Sequence, residues 1–216
     1  MNKIKNIIFD LGGVVIDLDR LQAIHALEEL GISDASHLLG EYEQKGPFLD
    51  LEKGLKSDSE VYDILLEKCK PGTTTTNIRD AFESFLLGLP KKRLAMIRAL
   101  RDKGYKLYVL SNTNPIMYNH WIDEAFRAEG LSINDYFDGI VASFQERTCK
   151  PDPAIFRRVT DRYHLEPSET LMLDDSAANC RAARSIGLNA IEVKKNGEEC
   201  FTSICNRLLE EADRRD

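Results

Sequence analysis

The sequence predicts an α/β protein: a doubly wound parallel sheet, interrupted near its start by a helical insert. Three observations carry this. Short runs rich in Ile, Val and Leu recur, each bounded by Gly, Asp, Asn or Ser. Amphipathic segments of helical period separate the later runs. Between the first run and the second lies a long stretch, about 18–90, with helix-like patterns and no convincing strand.

The runs are "IKNIIF" (4–9), "KLYVLS" (106–111), "GIVAS" (139–143), "TLMLD" (170–174) and "NAIEV" (189–193). Continuous apolar runs of this length fit parallel strands buried on both faces. "RLAMIRALRDKG" (93–104) has apolar residues at helical spacing and a terminal glycine. "DPAIFRRVTDRYHL" (152–165) carries Pro153 where a first helical turn tolerates it. "SAANCRAARSIG" (176–187) starts on serine and stops on glycine. Strands alternating with helices give a doubly wound sheet. In the insert, "LQAIHALEELG" (21–31) and "SEVYDILLEKC" (59–69) are amphipathic, and "PGTTTTN" (71–77) reads as a polar loop and helix start. This divides the chain into a core, 1–17 and 91–216, and a helical cap, 18–90, joined by two neighbouring linkers. An extra helical layer on one domain is the alternative. "EEADRRD" reads as a fraying terminal helix.

Composition bounds the function. A chain of 216 residues can build one full core and a small insert. With 43% apolar and 30% charged residues it is not a disordered chain. A net charge of −7 argues against a general nucleic-acid footprint, which needs a basic face. The five cysteines are odd in number and lack zinc spacing, so they read as reduced thiols of a cytoplasmic protein. The apolar run before Asp10 is too short for a signal peptide, and no stretch has membrane length. Oligomeric state, monomer or dimer, stays open.

Ligands of open parallel sheets bind beyond the carboxyl ends of the strands. The polar residues that fall there are Asp10, then Ser111, Asn112 and Thr113, then Lys150 ahead of a helix, then Asp174 and Asp175. Each alone has an ordinary reading as a turn, loop or cap residue. Together they place three carboxylates on one rim with a single lysine. Such a cluster needs a cation or raised pKa values. Mg²⁺ is the natural complement, because it takes oxygen ligands and binds through one or two carboxylates plus substrate phosphate. Ser111 and Lys150 suit phosphoryl oxygens, and Asp10 is a candidate covalent nucleophile.

These segments resemble the motifs of the haloacid dehalogenase superfamily of phosphohydrolases. "FDLGGVV" is similar to its first motif, "LSNT" to its second, "CKPDPAIF" to its third and "LMLDDSAANCRAARSIG" to its fourth. The insert resembles a C1-type cap. "EKGLKSDSEVYDIL" is similar to cap segments of the subgroup holding bacterial sugar-1-phosphate phosphatases and the amino-terminal domain of mammalian soluble epoxide hydrolase. The resemblance implies a Rossmann-like core of strand order 5-4-1-2-3. It implies Asp10 as nucleophile, Ser111 and Lys150 as phosphoryl ligands, and Asn112 as an orienting group. It places Mg²⁺ on Asp10, the Gly12 carbonyl and Asp175, with Asp174 as a direct or water-mediated ligand. The expected substrate is a small phosphorylated metabolite.

One position departs from the family pattern Asp-x-Asp. Gly12 stands where the second aspartate protonates the leaving group and then activates water. Such help is worth ~10²–10⁴-fold, roughly 3–5 kcal/mol of barrier. Asp19 and His25, from the cap entrance, are candidate replacements; Asp17 is not. The sugar-1-phosphate phosphatase subgroup also carries Gly here. A missing acid predicts preference for esters with good leaving groups, and slow breakdown of the aspartyl-phosphate. Three functions compete: a Mg²⁺-dependent phosphatase, a phosphoryl-binding regulator, and a metal-free 2-haloacid dehalogenase. The acidic pair argues against the last, and Gly12 against a mutase. Tyr118, Trp121 and Cys149 read as packing, and the four histidines share no metal spacing. Phe48 and Leu49 are expected to line the cap side of the pocket.

Overall fold

The computed structural model describes residues 3–41 and 43–214. Its strands are β1 (Asn6–Phe9), β2 (Asp17–Leu18), β3 (Leu86–Gly88), β4 (Lys106–Ser111), β5 (Gly139–Ala142), β6 (Thr170–Asp174) and β7 (Asn189–Glu192). Five of them form a parallel sheet in the order β5-β4-β1-β6-β7. Counted within that sheet this is 3-2-1-4-5, the expected order seen from the other edge.

The central strands are largely apolar because both faces are covered, while the edge strand β7 is only partly buried. Ile7, Phe9, Leu107, Val109, Leu171 and Leu173 belong to one buried cluster. The alternate residues Ile8, Tyr108, Leu110 and Met172 belong to the other, with Ile155, Phe156 and Val159 of the helix Pro153–Tyr163. That two-residue alternation is the pleat of a strand. Register then sets the functional rim. Phe9 lies between Val109 and Leu173, and the Asp10 amide donates to the Leu173 carbonyl at 2.9 Å. Asp10 therefore leaves the sheet beside Asp174.

Among the described residues, the stretch between β2 and β3 holds five helices: Arg20–Glu29, Ala35–Leu38, Gly46–Glu52, Asp58–Leu66 and Thr75–Glu83. Capping boxes at Ser57 and Thr74 fix the starts of the last two. Their apolar faces, with Leu27, Phe48, Val61 and Phe82, join the cluster that covers one face of the sheet. β2 and β3 pair antiparallel where the chain leaves for these helices and returns. This corrects the expectation of no strand in 18–90. Strands of two and three residues are too short for periodicity to reveal; backbone pairing defines them. Arg93, buried after the return crossing, holds Asp17 at 2.8 Å and ties the two crossings together.

Candidate active site

Four strand and loop ends converge on one cavity. Asp10 follows β1, Ser111 ends β4, Asp174 ends β6 with Asp175 next, and Lys150 precedes the helix Pro153–Tyr163. Carboxylate oxygens of Asp10, Asp174 and Asp175 lie within 4.8 Å of one another. Lys150 Nζ sits 2.8 Å from Asp10 Oδ2 and 2.8 Å from Asp174 Oδ2. All three residues of that bridge are buried.

One ammonium does not balance the cluster. Burial raises the Asp10 carboxyl to about 7; Lys150 opposes the rise, and Asp174 and Asp175 add to it. Burial and then Asp174 lift Asp175 to about 6. Burial works against charge on Lys150, but Asp10 and Asp174 outweigh it and hold its pKa above the usual range. The surplus negative charge and the all-oxygen donor set fit a hard dication. The donors are not equivalent. Asp174 Oδ1 accepts from the Ser176 amide and from Asn179 Nδ2, each at 2.9 Å, while Oδ2 holds Lys150. Asp174 thus carries three bonds, whereas Asp10 carries two, from the Leu11 amide to Oδ1 at 2.7 Å and from Lys150 to Oδ2 at 2.8 Å.

The turn after Asp10 explains its two glycines differently. The amides of Val14, Val15 and Ile16 all donate to the Leu11 carbonyl. Gly13 has φ +74, and a Cβ there would meet Asp175 Oδ2 at 2.5 Å. Only glycine fits. Gly12 has no such φ, and its nearest obstacle is the tip of Leu18, 2.9 Å from a built Cβ. The backbone would therefore admit a side chain at position 12.

Around the cluster, Ser111 is buried and lines the cavity. Asn112 also lines it, yet its amide is committed elsewhere: Nδ2 donates to the Lys150 carbonyl at 2.9 Å, and Oδ1 accepts the Lys150 amide at 2.8 Å. Both ends of this side-chain amide are engaged by the Lys150 backbone. Thr113 is fixed by reciprocal bonds with Ser143.

Several expected residues lie elsewhere. Asp19 caps the helix Arg20–Glu29, its carboxylate accepting the Leu21 and Gln22 amides. His25 is exposed on that helix. Neither lines the cavity. Phe48 is fully buried and stacks on Phe82, ring centroids 4.4 Å apart; Phe82, not Phe48, faces the cavity. Leu49 lines a neighbouring cleft beside Cys149 and Lys150. Met117 and Ile122 line the cavity from the segment where Tyr118 and Trp121 pack on the core.

Three charged lining residues escape sequence reading: Lys195, Glu41 and Glu52. Lys195 follows the last strand, and its Cγ would lie 3.2 Å from a Cβ on Gly13. Glu52 ends the helix Gly46–Glu52, whose buried residues are Phe48, Leu51 and Glu52. A charged residue at i+4 from Phe48, on an apolar face, was the available signal.

Comparison with known proteins bears on this arrangement. A family model of haloacid dehalogenase-like hydrolases matches residues 4–187. The chain belongs to the haloacid dehalogenase-like hydrolase family. Among relatives of this hydrolase is D-ribitol-5-phosphate phosphatase of Bacteroides thetaiotaomicron, 37% identical over 196 residues, 91% of this chain and 94% of that protein. Rat bifunctional epoxide hydrolase 2 is 26% identical over 204 residues, covering 86% of this chain and 36% of that protein. A family enzyme of Bacteroides thetaiotaomicron, solved with magnesium and inorganic phosphate, superposes with a TM-score of 0.85 at 33% identity, covering 90% of this chain and 96% of that one.

Proposed function

We propose that this hydrolase is a Mg²⁺-dependent phosphatase of small phosphorylated sugars or polyols, sugar 1-phosphates among them, acting through an aspartyl-phosphate. The observation that carries the reading is Asp10 at the cavity floor, 2.8 Å from Lys150 and clustered with Asp175. Asp10, the Gly12 carbonyl and Asp175 would hold Mg²⁺, which supplies charge compensation at the phosphoryl group. Lys150 keeps Asp10 oriented and neutralises the incoming phosphate. Ser111 binds a second phosphoryl oxygen, and Asn112 fixes Lys150 from behind. Asp10 then attacks phosphorus, and water later releases phosphate.

The cavity measures ≈ 100 Å³, far below the ~300–1,000 Å³ of drug-sized sites, which favours a small substrate under the cap. Its cap wall mixes Phe82 and Phe85 with Glu41 and Gln44, a lining suited to a hydroxylated carbon chain. The named activity of the ribitol-phosphate relative supports the same class. Gly12 keeps a phosphoryl-binding regulator as the second reading. A panel of sugar 1-phosphates, sugar 6-phosphates, ribitol 5-phosphate, acetyl phosphate and p-nitrophenyl phosphate tests the choice, with Mg²⁺ or EDTA. Release that needs Mg²⁺ and fails in Asp10→Asn is expected. No release, with Mg²⁺ bound by calorimetry, overturns the phosphatase reading in favour of the regulator.

A further inference from the structure

Cleaving an unactivated phosphate ester needs a proton for the departing alkoxide, and the turn after Asp10 has none to give. Residues Leu11, Gly12, Gly13, Val14, Val15 and Ile16 carry no ionisable group. Among the described residues, the carboxyls lining the cavity are Asp10, Asp175, Glu41 and Glu52. Asp10 and Asp175 belong to the acidic cluster facing the phosphoryl group. Glu41 is exposed. Glu52 is buried, and it enters the cavity from the helix Gly46–Glu52 of the insert. The leaving alcohol must occupy that side, because an in-line attack by Asp10 expels the ester oxygen away from the sheet.

We propose that Glu52 is the proton donor to the leaving alcohol and the base for the water that follows, doing from the cap what the turn at Gly12 cannot. The proposal rests on the phosphatase reading above. In the first step an Asp10 carboxylate oxygen bonds to phosphorus and the P–O(ester) bond breaks. Its electron pair stays on the ester oxygen, which takes the Glu52 proton and leaves as alcohol. In the second step water attacks phosphorus and gives its proton to the Glu52 carboxylate. The P–O(Asp10) bond breaks, and phosphate, the Asp10 carboxylate and protonated Glu52 result.

The surroundings of Glu52 favour the protonated starting form. Burial pushes its carboxyl up to about 8; Lys150 opposes this, Asp10 adds to it, Gln44 opposes through a hydrogen bond, and Glu43 adds again. The Cys149 thiol donates to the Glu52 carbonyl at 3.7 Å, and Lys53 adjoins it in sequence. Gln44 Oε1 is buried without a hydrogen-bond partner among the described residues and lines the same cavity. An unmatched acceptor beside Glu52 suits a hydroxyl of the departing alcohol.

Leaving-group dependence separates proton donation from mere binding. The p-nitrophenolate leaves without a proton; the alkoxide of glycerol 3-phosphate or ribitol 5-phosphate does not. Rapid mixing should show Glu52→Gln losing ~10²–10⁴-fold in the first step on the alkyl esters. The p-nitrophenol burst should fall by less than ~10-fold, with slowed steady-state turnover because the base is also gone. Gly12→Asp, which need only displace the tip of Leu18, should restore alkyl-ester turnover in the Glu52→Gln background. In the unaltered protein, the alkyl-ester rate should fall as pH rises through about 8, while the p-nitrophenol burst does not. This last measurement holds even if the variant misfolds. Equal losses on both ester types, alkyl turnover unchanged by Glu52→Gln, or identical pH profiles would overturn the proposal. An unaltered protein inert toward every ester would instead overturn the phosphatase reading, and this proposal with it.

Discussion

Replacing Asp10 by Asn should make the metal-free protein more stable while abolishing turnover. The native state holds the Asp10 carboxyl at about 7, against 3.8 for the free side chain, because burial and two neighbouring carboxylates outweigh Lys150. A group whose folded pKa is raised favours folding fully below its unfolded value. That benefit is lost as pH climbs to the folded value. Between 3.8 and about 7 the unfolded chain has released its proton and the native chain has not. The difference, 7 − 3.8 = 3.2, converts at 1.36 kcal/mol per unit to about 4 kcal/mol of stability missing at pH 8. At pH 5 only 1.2 units have accrued, about 2 kcal/mol. Asn is neutral in both states and carries neither cost. Urea unfolding in EDTA should thus show Asp10→Asn more stable by about 4 kcal/mol at pH 8, a midpoint shift of roughly 2 M at an m-value near 2 kcal/mol/M. The gap should fall to well under half at pH 5. Mg²⁺ should narrow the gap, stabilising the unaltered protein by ~2.7 kcal/mol at a hundred times Kd and the variant by less. A variant no more stable than its parent at pH 8 in EDTA would refute the electrostatic reasoning.

Lys150→Met should cost about 3–5 kcal/mol at pH 8, because it strands two buried carboxylates, and less at pH 5, where Asp10 takes up a proton; chemical denaturation at both pH values reads this. Asn112→Ala removes two bonds to the Lys150 backbone without touching the acidic cluster. It should lower kcat ~10²-fold by displacing Lys150, with Mg²⁺ affinity by calorimetry unchanged. Phe48→Ala opens a void behind the stacked Phe82 and should cost about 3–5 kcal/mol, with a raised KM as the cavity wall slackens.

The large sheet was legible because its strands are buried on both faces and read as apolar runs ending in polar residues. Register did the rest. Asp10, Ser111, Asp174 and Asp175 stand at strand ends, so the topology alone brings them together. What escaped depends on pairings that sequence does not display. β2 and β3 are too brief to show a pattern. Asn112 finds its partner 38 positions away in the Lys150 backbone. Asp19 looked like a spare acid because a cap and a catalytic carboxylate are alike in sequence. Glu52 was not singled out, although its place four residues after Phe48 on an apolar helix face marks it; the tertiary fold turns that face into the cavity. The segment after Asn114 winds through a π-turn at Tyr118–Ile122, and that shift directs Ile122 inward.

The central claim is that Asp10 is phosphorylated during turnover. The most direct test is to mix the protein with acetyl phosphate or p-nitrophenyl phosphate and Mg²⁺, quench in acid within milliseconds, and map the phosphoryl group by peptide mass spectrometry. An acid-stable, base-labile phosphoryl adduct is expected on the peptide carrying Asp10, missing in Asp10→Asn and in EDTA. Turnover with no adduct on that peptide, or turnover that survives Asp10→Asn, would contradict it.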